Sequence, residues 1–390
     1  MQPVYSLHQL VLYFLKLGYS GFGGPVALVG YMHRDLVEKK QWISEEEYKE
    51  GLALSQLAPG PLAAQLAIYL GFVHFKILGA TLCGIAFIVP SFIMVVLLGI
   101  LYTYFGGLPW MQAVFYGVGA SVIGIIAISS YKLTLKSISK FEFNEIRKNW
   151  ILWLTYLSVG IYTIITKSEE LWLFVAAGII YMIVKSPPSF LNSNSGKLNS
   201  LLLVTGAGFW NYTTDNLTKI AIFFFKAGAF VFGSGLAIVP FLHNGVVLEN
   251  NWLTEQQFLD AVAVAMITPG PVVITVGFIG YLIAGFPGAC VAAMATFLPC
   301  YLFTVIPAPY FKIISKNLSV KAFVDGITAA VVGALVGAVV VITLRTIVDW
   351  QTAIIAMLAA LTLLIFKKVQ EPLIIIAAAI IGLILKTYIL

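Results

Sequence analysis

LALSQLAPGPLAAQLAIYLG at 52–71 and AVAVAMITPGPVVITVGFIGY at 261–281 are apolar stretches interrupted by the same tripeptide. Pro59-Gly60-Pro61 recurs as Pro269-Gly270-Pro271, 210 positions on. At that spacing Phe14, Lys16, Gly18, Phe22, Gly23, His33, Trp42 and Glu45 also meet Phe224, Lys226, Gly228, Phe232, Gly233, His243, Trp252 and Glu255. Further on the spacing is 209, pairing Gly79 with Gly288, Pro90 with Pro299 and Gly117 with Gly326. Proline lacks an N–H and Gly-Pro cannot continue a helix, so each break exposes backbone polar groups. In lipid such a break is tolerated only where it is buried in protein or lines a watery cavity. Two halves, each with a helix broken at the same place, form the pattern of a transporter.

Composition supports a membrane setting. The chain is 60% hydrophobic and 10% charged, with mean hydropathy +0.96, against about 25% charged residues in a soluble protein. Its net charge of +6 is scattered over short loops, which fits a cytoplasmic Lys/Arg bias and gives no reason to invoke nucleic acid. Cys83, Cys290 and Cys300 fall in apolar runs without metal-ligand spacing and read as packing residues; no metal or cofactor is expected. No basic region precedes the first apolar stretch, which reads as a retained helix.

Apolar segments lie near 8–32, 51–73, 77–104, 111–131, 150–165 and 171–184, and again near 218–243, 259–283, 286–306, 322–344, 351–366 and 371–388. Equivalent loops carry opposite charge patterns. Arg34, Lys39, Lys40 and Lys49 follow the first segment, while 244–257 has no Lys or Arg. The loop 105–110 has none, while 307–321 has Lys312, Lys316 and Lys321. Five basic residues in 132–148 stand against Arg345 alone in 345–350. The positive-inside rule then turns the halves opposite ways.

Inversion needs an odd number of crossings per half, so one of the six segments must enter and leave by the same face. The Pro-Gly-Pro segment is the choice. The expected fold is an all-α polytopic membrane protein of two inverted repeats, with about ten transmembrane helices and two re-entrant hairpins. Residues 1–185 form the first repeat, 186–217 a Ser/Asn/Pro/Gly-rich linker and 218–390 the second. Loops 33–50 and 132–148 are placed in the cytoplasm, and both termini outside the cell (inner) membrane. Ser44 with Glu47 and Thr254 with Gln257 read as capping boxes that start a helix before each break.

Each return limb starts with Pro at its first position and leaves free N–H groups, on Leu62 to Ala64 and on Val272 to Ile274. Such helix ends attract anions. A plain kink is the alternative account of one break, and a weaker one for two at matched positions. Lys16 and Lys226 sit inside apolar helices at matched positions. An embedded charge costs at least about 2.5–3.5 kcal/mol, so the pair reads as part of an anion site, with snorkelling to the interface as the rival. Gly23 and Gly24, with Gly233 and Ser234, allow close backbone approach of another helix or of a ligand. Gln56 and Gln65 flank the first break as amide donors, with Met266 and Thr275 at their positions in the second, where Thr268 precedes the tripeptide. Glu50 and Asp260 pair at the top of the descending limbs and are the candidates for proton coupling. His33 and His243 end their helices and read as interfacial.

On FLKLGYSGFGGPVALVGYMHRD with LALSQLAPGPLAAQLAIYLG, and FFKAGAFVFGSGLAIVPFL with AVAVAMITPGPVVITVGFIGY, the chain resembles the chromate ion transporter family in its long, two-domain form. The resemblance covers nearly the whole length. It implies export of chromate, a tetrahedral dianion shaped like sulfate, powered by the proton-motive force and conferring chromate resistance. Met266 stands where the family has Gln, and Ser234 where it has a second glycine, so sulfate and other oxyanions stay open as substrates. An anion channel of the same fold is the rival; an enzyme is not expected, since no His, Asp or Cys constellation is clustered. The expected partners are a small oxyanion and the bilayer, with a homodimer left open.

Overall fold

A computed structural model describes residues 5–22, 24–105, 108–138, 142–167, 170–187, 216–231, 235–311, 317–347, 349–366 and 369–388. Most of the expected linker, 188–215, lies outside the described residues. The first half contains α1 (Leu7–Ser20), α2 (Gly24–Met32), α3 (Glu45–Leu57), α4 (Leu62–Phe105), α5 (Pro109–Ser137), α6 (Phe143–Lys148), α7 (Trp150–Thr166) and α8 (Leu171–Lys185). The second contains α9 (Asn216–Ala229), α10 (Val239–His243), α11 (Glu255–Ile267), α12 (Thr275–Val305), α13 (Leu318–Thr346), α14 (Trp350–Ile365) and α15 (Glu371–Tyr388). No strand occurs among the described residues.

Four stretches, Leu62–Phe105, Pro109–Ser137, Val272–Tyr310 and Leu318–Thr346, are long and apolar enough to cross a bilayer. Large apolar side chains such as Leu97, Leu154, Met294 and Ile365 face outward, as expected where lipid rather than water surrounds the bundle. This is a multi-pass membrane protein.

Local chemistry sets the element starts. The Ser44 hydroxyl accepts from the Glu47 amide, and Glu47 Oε2 accepts from the Ser44 amide at 2.9 Å. Thr254 and Gln257 repeat the motif at α11. As the capping box at Ser44 implies, α3 begins at Glu45, and it ends at the break.

Two of the long helices are folded back on themselves. In α4 the chain reverses at Lys76 (φ 53°, ψ −143°), and in α12 at Ala284 and Gly285 (φ 62°). Gly71 then lies against Gly79, and Gly280 against Gly288, with no room for a Cβ between the backbones. The limb Leu62–Phe75 therefore returns from the Pro-Gly-Pro break and hands over to a second, antiparallel limb.

The segment 8–32 departs from expectation. It is not one helix but two, α1 and α2, with a break after Ser20. The Tyr13 hydroxyl donates to the Tyr31 carbonyl at 3.3 Å, and the Tyr5 ring stacks on Trp42 at 4.8 Å. Tyr5 also meets His74 at 2.6 Å, at the foot of the return limb. The start of α1 thus shares an end of the bundle with loop 33–50, and the expectation that they occupy opposite faces is corrected. The same pairing recurs in the second half, where Phe223 stacks on Phe241 at 5.3 Å and meets Trp252 at 5.7 Å.

Packing interleaves the halves. The long helix α5 packs on α14 and α15 of the second half, and α13 packs on α7 and α8 of the first. Gly117 of α5 abuts Gly382 of α15, and Gly333 of α13 abuts Tyr156 of α7. Small residues let backbones approach where apolar burial between helices gives little drive in lipid.

Candidate functional site

Both Pro-Gly-Pro breaks are tips of helical hairpins, and each is bonded to the other half. The Gly60 amide donates to the Val231 carbonyl at 2.5 Å, and the Gly270 amide to the Gly21 carbonyl at 2.9 Å. Val231 and Gly21 stand 210 positions apart, as do Gly60 and Gly270. Each tip is therefore bonded just past the first helix of the opposite half. The two glycines have φ of 145° and 97°, conformations that side chains rarely adopt. A Cβ at 60 would run into the Gln65 side chain, and one at 270 into Ser91 Oγ.

The tips differ in their polar fittings. At the second, Ser91 of α4 is fully buried and its hydroxyl is shared between the Pro269 carbonyl at 2.7 Å and the Gly18 carbonyl at 3.2 Å. Thr268 is bonded to the Ala265 carbonyl and Thr275 to the Val272 carbonyl. Pro271 is extended, and Val272–Ile274 form a tight turn in which the Ile274 amide donates back to Pro271. This corrects the expectation of three free amides there, since Ile274 is already engaged.

At the first tip Pro61 leads into a regular helix, whose first amides, Leu62 to Ala64, precede the bond from Gln65 N to the Pro61 carbonyl. Gln65 is fully buried; its Nε2 donates to the Pro59 carbonyl at 2.8 Å. Gln65 Oε1 is buried without a hydrogen-bond partner. The orphaned atom is an acceptor, so it suits a water or the hydroxyl of a protonated oxyanion rather than a bare oxyanion oxygen.

The remaining candidates divide. Lys16 is exposed on α1, and its ammonium has no hydrogen bond or ion pair among the described residues. Lys226 is half-buried on α9. Gly24 opens α2 with φ 74°, and Gln56 is exposed on α3. Gly23, Gly233 and Ser234 lie outside the described residues. Glu50 and Asp260 are not equivalent. Glu50 is half-buried and takes a bond from the Tyr69 hydroxyl at 3.3 Å. Asp260 is 1% exposed and accepts from the Tyr102 hydroxyl and from Gln256 Nε2, both at 2.8 Å. Tyr102 comes from α4, so Asp260 ties the second hairpin to the first half.

His33 and His243 do lie at hairpin feet, bonded to Glu45 at 2.8 Å and Glu255 at 2.6 Å. Outside the apolar spans, the Arg34 guanidinium holds the Asp35 carboxyl below the usual range, and His33 and Lys49 do the same for Glu45. Ser91 and Tyr102 were missed in the sequence. Ser91 had a signal, a hydroxyl directly after Pro90 in an apolar run; Tyr102 had none.

A model of the chromate transporter family matches residues 8–182 and 218–383. The chain belongs to the chromate transporter family. It is 62% identical over 387 residues to the chromate transport protein of Cupriavidus metallidurans, covering 98% of this chain and 94% of that one. It is 58% identical to a probable chromate transport protein of Synechococcus elongatus, covering 98% and 97%. A chromate transport protein of Pseudomonas aeruginosa is 30% identical, over 86% of this chain and 80% of its own. No solved structure matches the chain. The two matched ranges include both tips and the residues they bond, Val231 and Gly21.

Proposed function

We propose that the protein is a secondary carrier that exports chromate across the cell membrane by alternating access, with the two junctions as its moving parts. The reciprocal bonds Gly60–Val231 and Gly270–Gly21 carry the reading. One contact made twice, with the halves exchanged, is what a twofold relation between repeats produces. Thr81 meets Tyr301 while Phe92 meets Phe286, so the last limbs of α4 and α12 run antiparallel. That supports a twofold axis across the helices, as in inverted-repeat carriers whose substrates bind at broken helices.

With both hairpins of each half re-entrant, four segments per half remain to cross. We infer eight crossings and four hairpins among the described residues, in place of ten and two. Antiparallel halves of four crossings each would set Lys185 and Asn216 on opposite faces. The packing supports this: Tyr181 of α8 lies by Gly326, near the start of α13. The α9 hairpin lies by Trp252, close to Glu255, which Arg345 at the end of α13 approaches to 3.9 Å.

The substrate reading joins the names of the relatives to the amides of Leu62–Ala64, which favour an anion, and to Lys16 and Lys226. Asp260, buried among uncharged hydrogen-bond donors, is the proton-coupling candidate. The role is that of a carrier rather than an enzyme. Purified protein in liposomes is expected to show saturable chromate flux reduced by sulfate. Gly270→Ala, which collides with Ser91, should lose at least about tenfold of it while still reaching the membrane. Full flux through that variant would remove the second junction from the mechanism.

A further inference from the structure

Between α1 and the segment 31–42 runs an open groove of about 820 Å³, of which the transport reading uses Lys16 alone. Tyr13, Lys16 and Ser20 line one wall, and Arg34, Lys39 and Lys40 its mouth. Gly21, whose carbonyl holds the Gly270 tip, is also in its lining. Four cations there face one carboxylate. Asp35 is taken by Arg34 at 2.9 Å and approached by Lys39 at 3.7 Å. Lys40 lies over the Trp42 ring at 4.4 Å, and Lys16, deeper in, has no partner among the described residues.

The matching place in the second half is filled. Phe223 and Phe241 stack where Tyr13 and Tyr31 stand in the first half. Asn244 and Gly245 are buried where Arg34 and Asp35 lie at the surface, and a Cβ at 245 would strike Phe223. Glu249 and Asn250 replace Lys39 and Lys40. One end of the pseudo-symmetric pair is thus open and cationic, and the other is shut by aromatic rings and carries an acid.

We propose that this groove is the loading route for a small oxyanion, with Lys39 and Lys40 collecting it at the mouth and Lys16 passing it to the Gly21–Gly270 junction. This rests on the carrier reading, and the wild-type flux separates the two. A cleft of one sign concentrates counter-ions, and the effect is lost with salt. The open cationic end then identifies this conformation as the loading state on the side of loop 33–50.

The test is chromate flux in phosphatidylcholine vesicles, at about 0.01 M and about 1 M salt, where the screening length falls from about 30 to about 3 Å. Lys39→Gln/Lys40→Gln should raise the half-saturating chromate concentration about tenfold at low salt and hardly at all at high salt. Lys39→Arg/Lys40→Arg should restore it, and Lys16→Gln should lower the limiting rate as well. A double Gln variant with unchanged half-saturation, beside an active wild type, would overturn the loading route alone. A defect present only when phosphatidylglycerol is added would also overturn it, because the groove would then be holding a lipid headgroup. No flux in the wild type would instead sink the carrier reading itself.

Discussion

Asp349 shows how much one loop residue can hold. It caps α14, accepting from the Thr352 amide at 2.8 Å, and it takes the Tyr116 hydroxyl at 2.6 Å across the boundary between halves. Burial alone would lift its pKa; the Tyr116 and Thr352 bonds outweigh this and bring it below the ordinary value. A carboxylate with a depressed folded-state pKa adds stability above its unfolded pKa of about 4 and loses it as pH falls through the folded value. Asp349→Asn keeps a capping oxygen but not the charge. Melting in detergent should show a smaller acid-induced loss for the variant between about pH 5 and about pH 3 than for the wild type. Parallel curves would mean that the charge adds nothing. Residue roles were legible where the chemistry is local, as with the caps at Ser44 and Thr254. The contrast between Glu50 and Asp260 was not legible, because Asp260 is buried by Tyr102 from a distant helix.

Among the elements, the reversals in α4 and α12 carry the shape of each half. They fall at Lys76 and Gly285, which are equivalent at the 209 spacing. Glycine takes that positive φ easily; lysine is strained there by about 1–3 kcal/mol. Lys76→Gly should therefore stabilise the protein by about 1 kcal/mol after the loss of chain entropy in the unfolded state is counted, read as a raised melting temperature in detergent. A lowered one would show that Lys76 contributes more through its lie over the Phe72 ring than the strain costs. The Pro-Gly-Pro breaks were plain in the sequence because proline forbids a straight helix. The break after Ser20 was hidden, since a mostly apolar segment of 25 residues, 8–32, matches a bilayer and hydropathy is blind to glycine's freedom to turn. Gly24-Pro25 was the available signal, and packing of α1 on the last limb of α4 decides the fold there.

For the whole molecule, interleaving makes each half the scaffold of the other: α5 is held by α14 and α15, and α13 by α7 and α8. The opposed loop charges suggest antiparallel halves, but loop charge cannot reveal which long helix packs on which terminal pair. Nor does it detect a hairpin that returns to its own side. Labelling with a membrane-impermeant thiol reagent follows from this arrangement. Cysteines introduced at Ser6 and at Lys40 should react from the same side, and those at Ser186 and Asn216 from opposite sides. Reaction of Ser6→Cys and Lys40→Cys from opposite faces would restore a single crossing at 8–32 and contradict the hairpin.

Alternating access separates this account most sharply from a channel of the same architecture. Chromate should accumulate in one compartment of sealed proteoliposomes above its equilibrium level when a pH gradient is imposed, and should leak back when the gradient is collapsed. Chromate that only relaxes to electrochemical equilibrium, whatever the pH gradient, would show a pore and contradict the carrier.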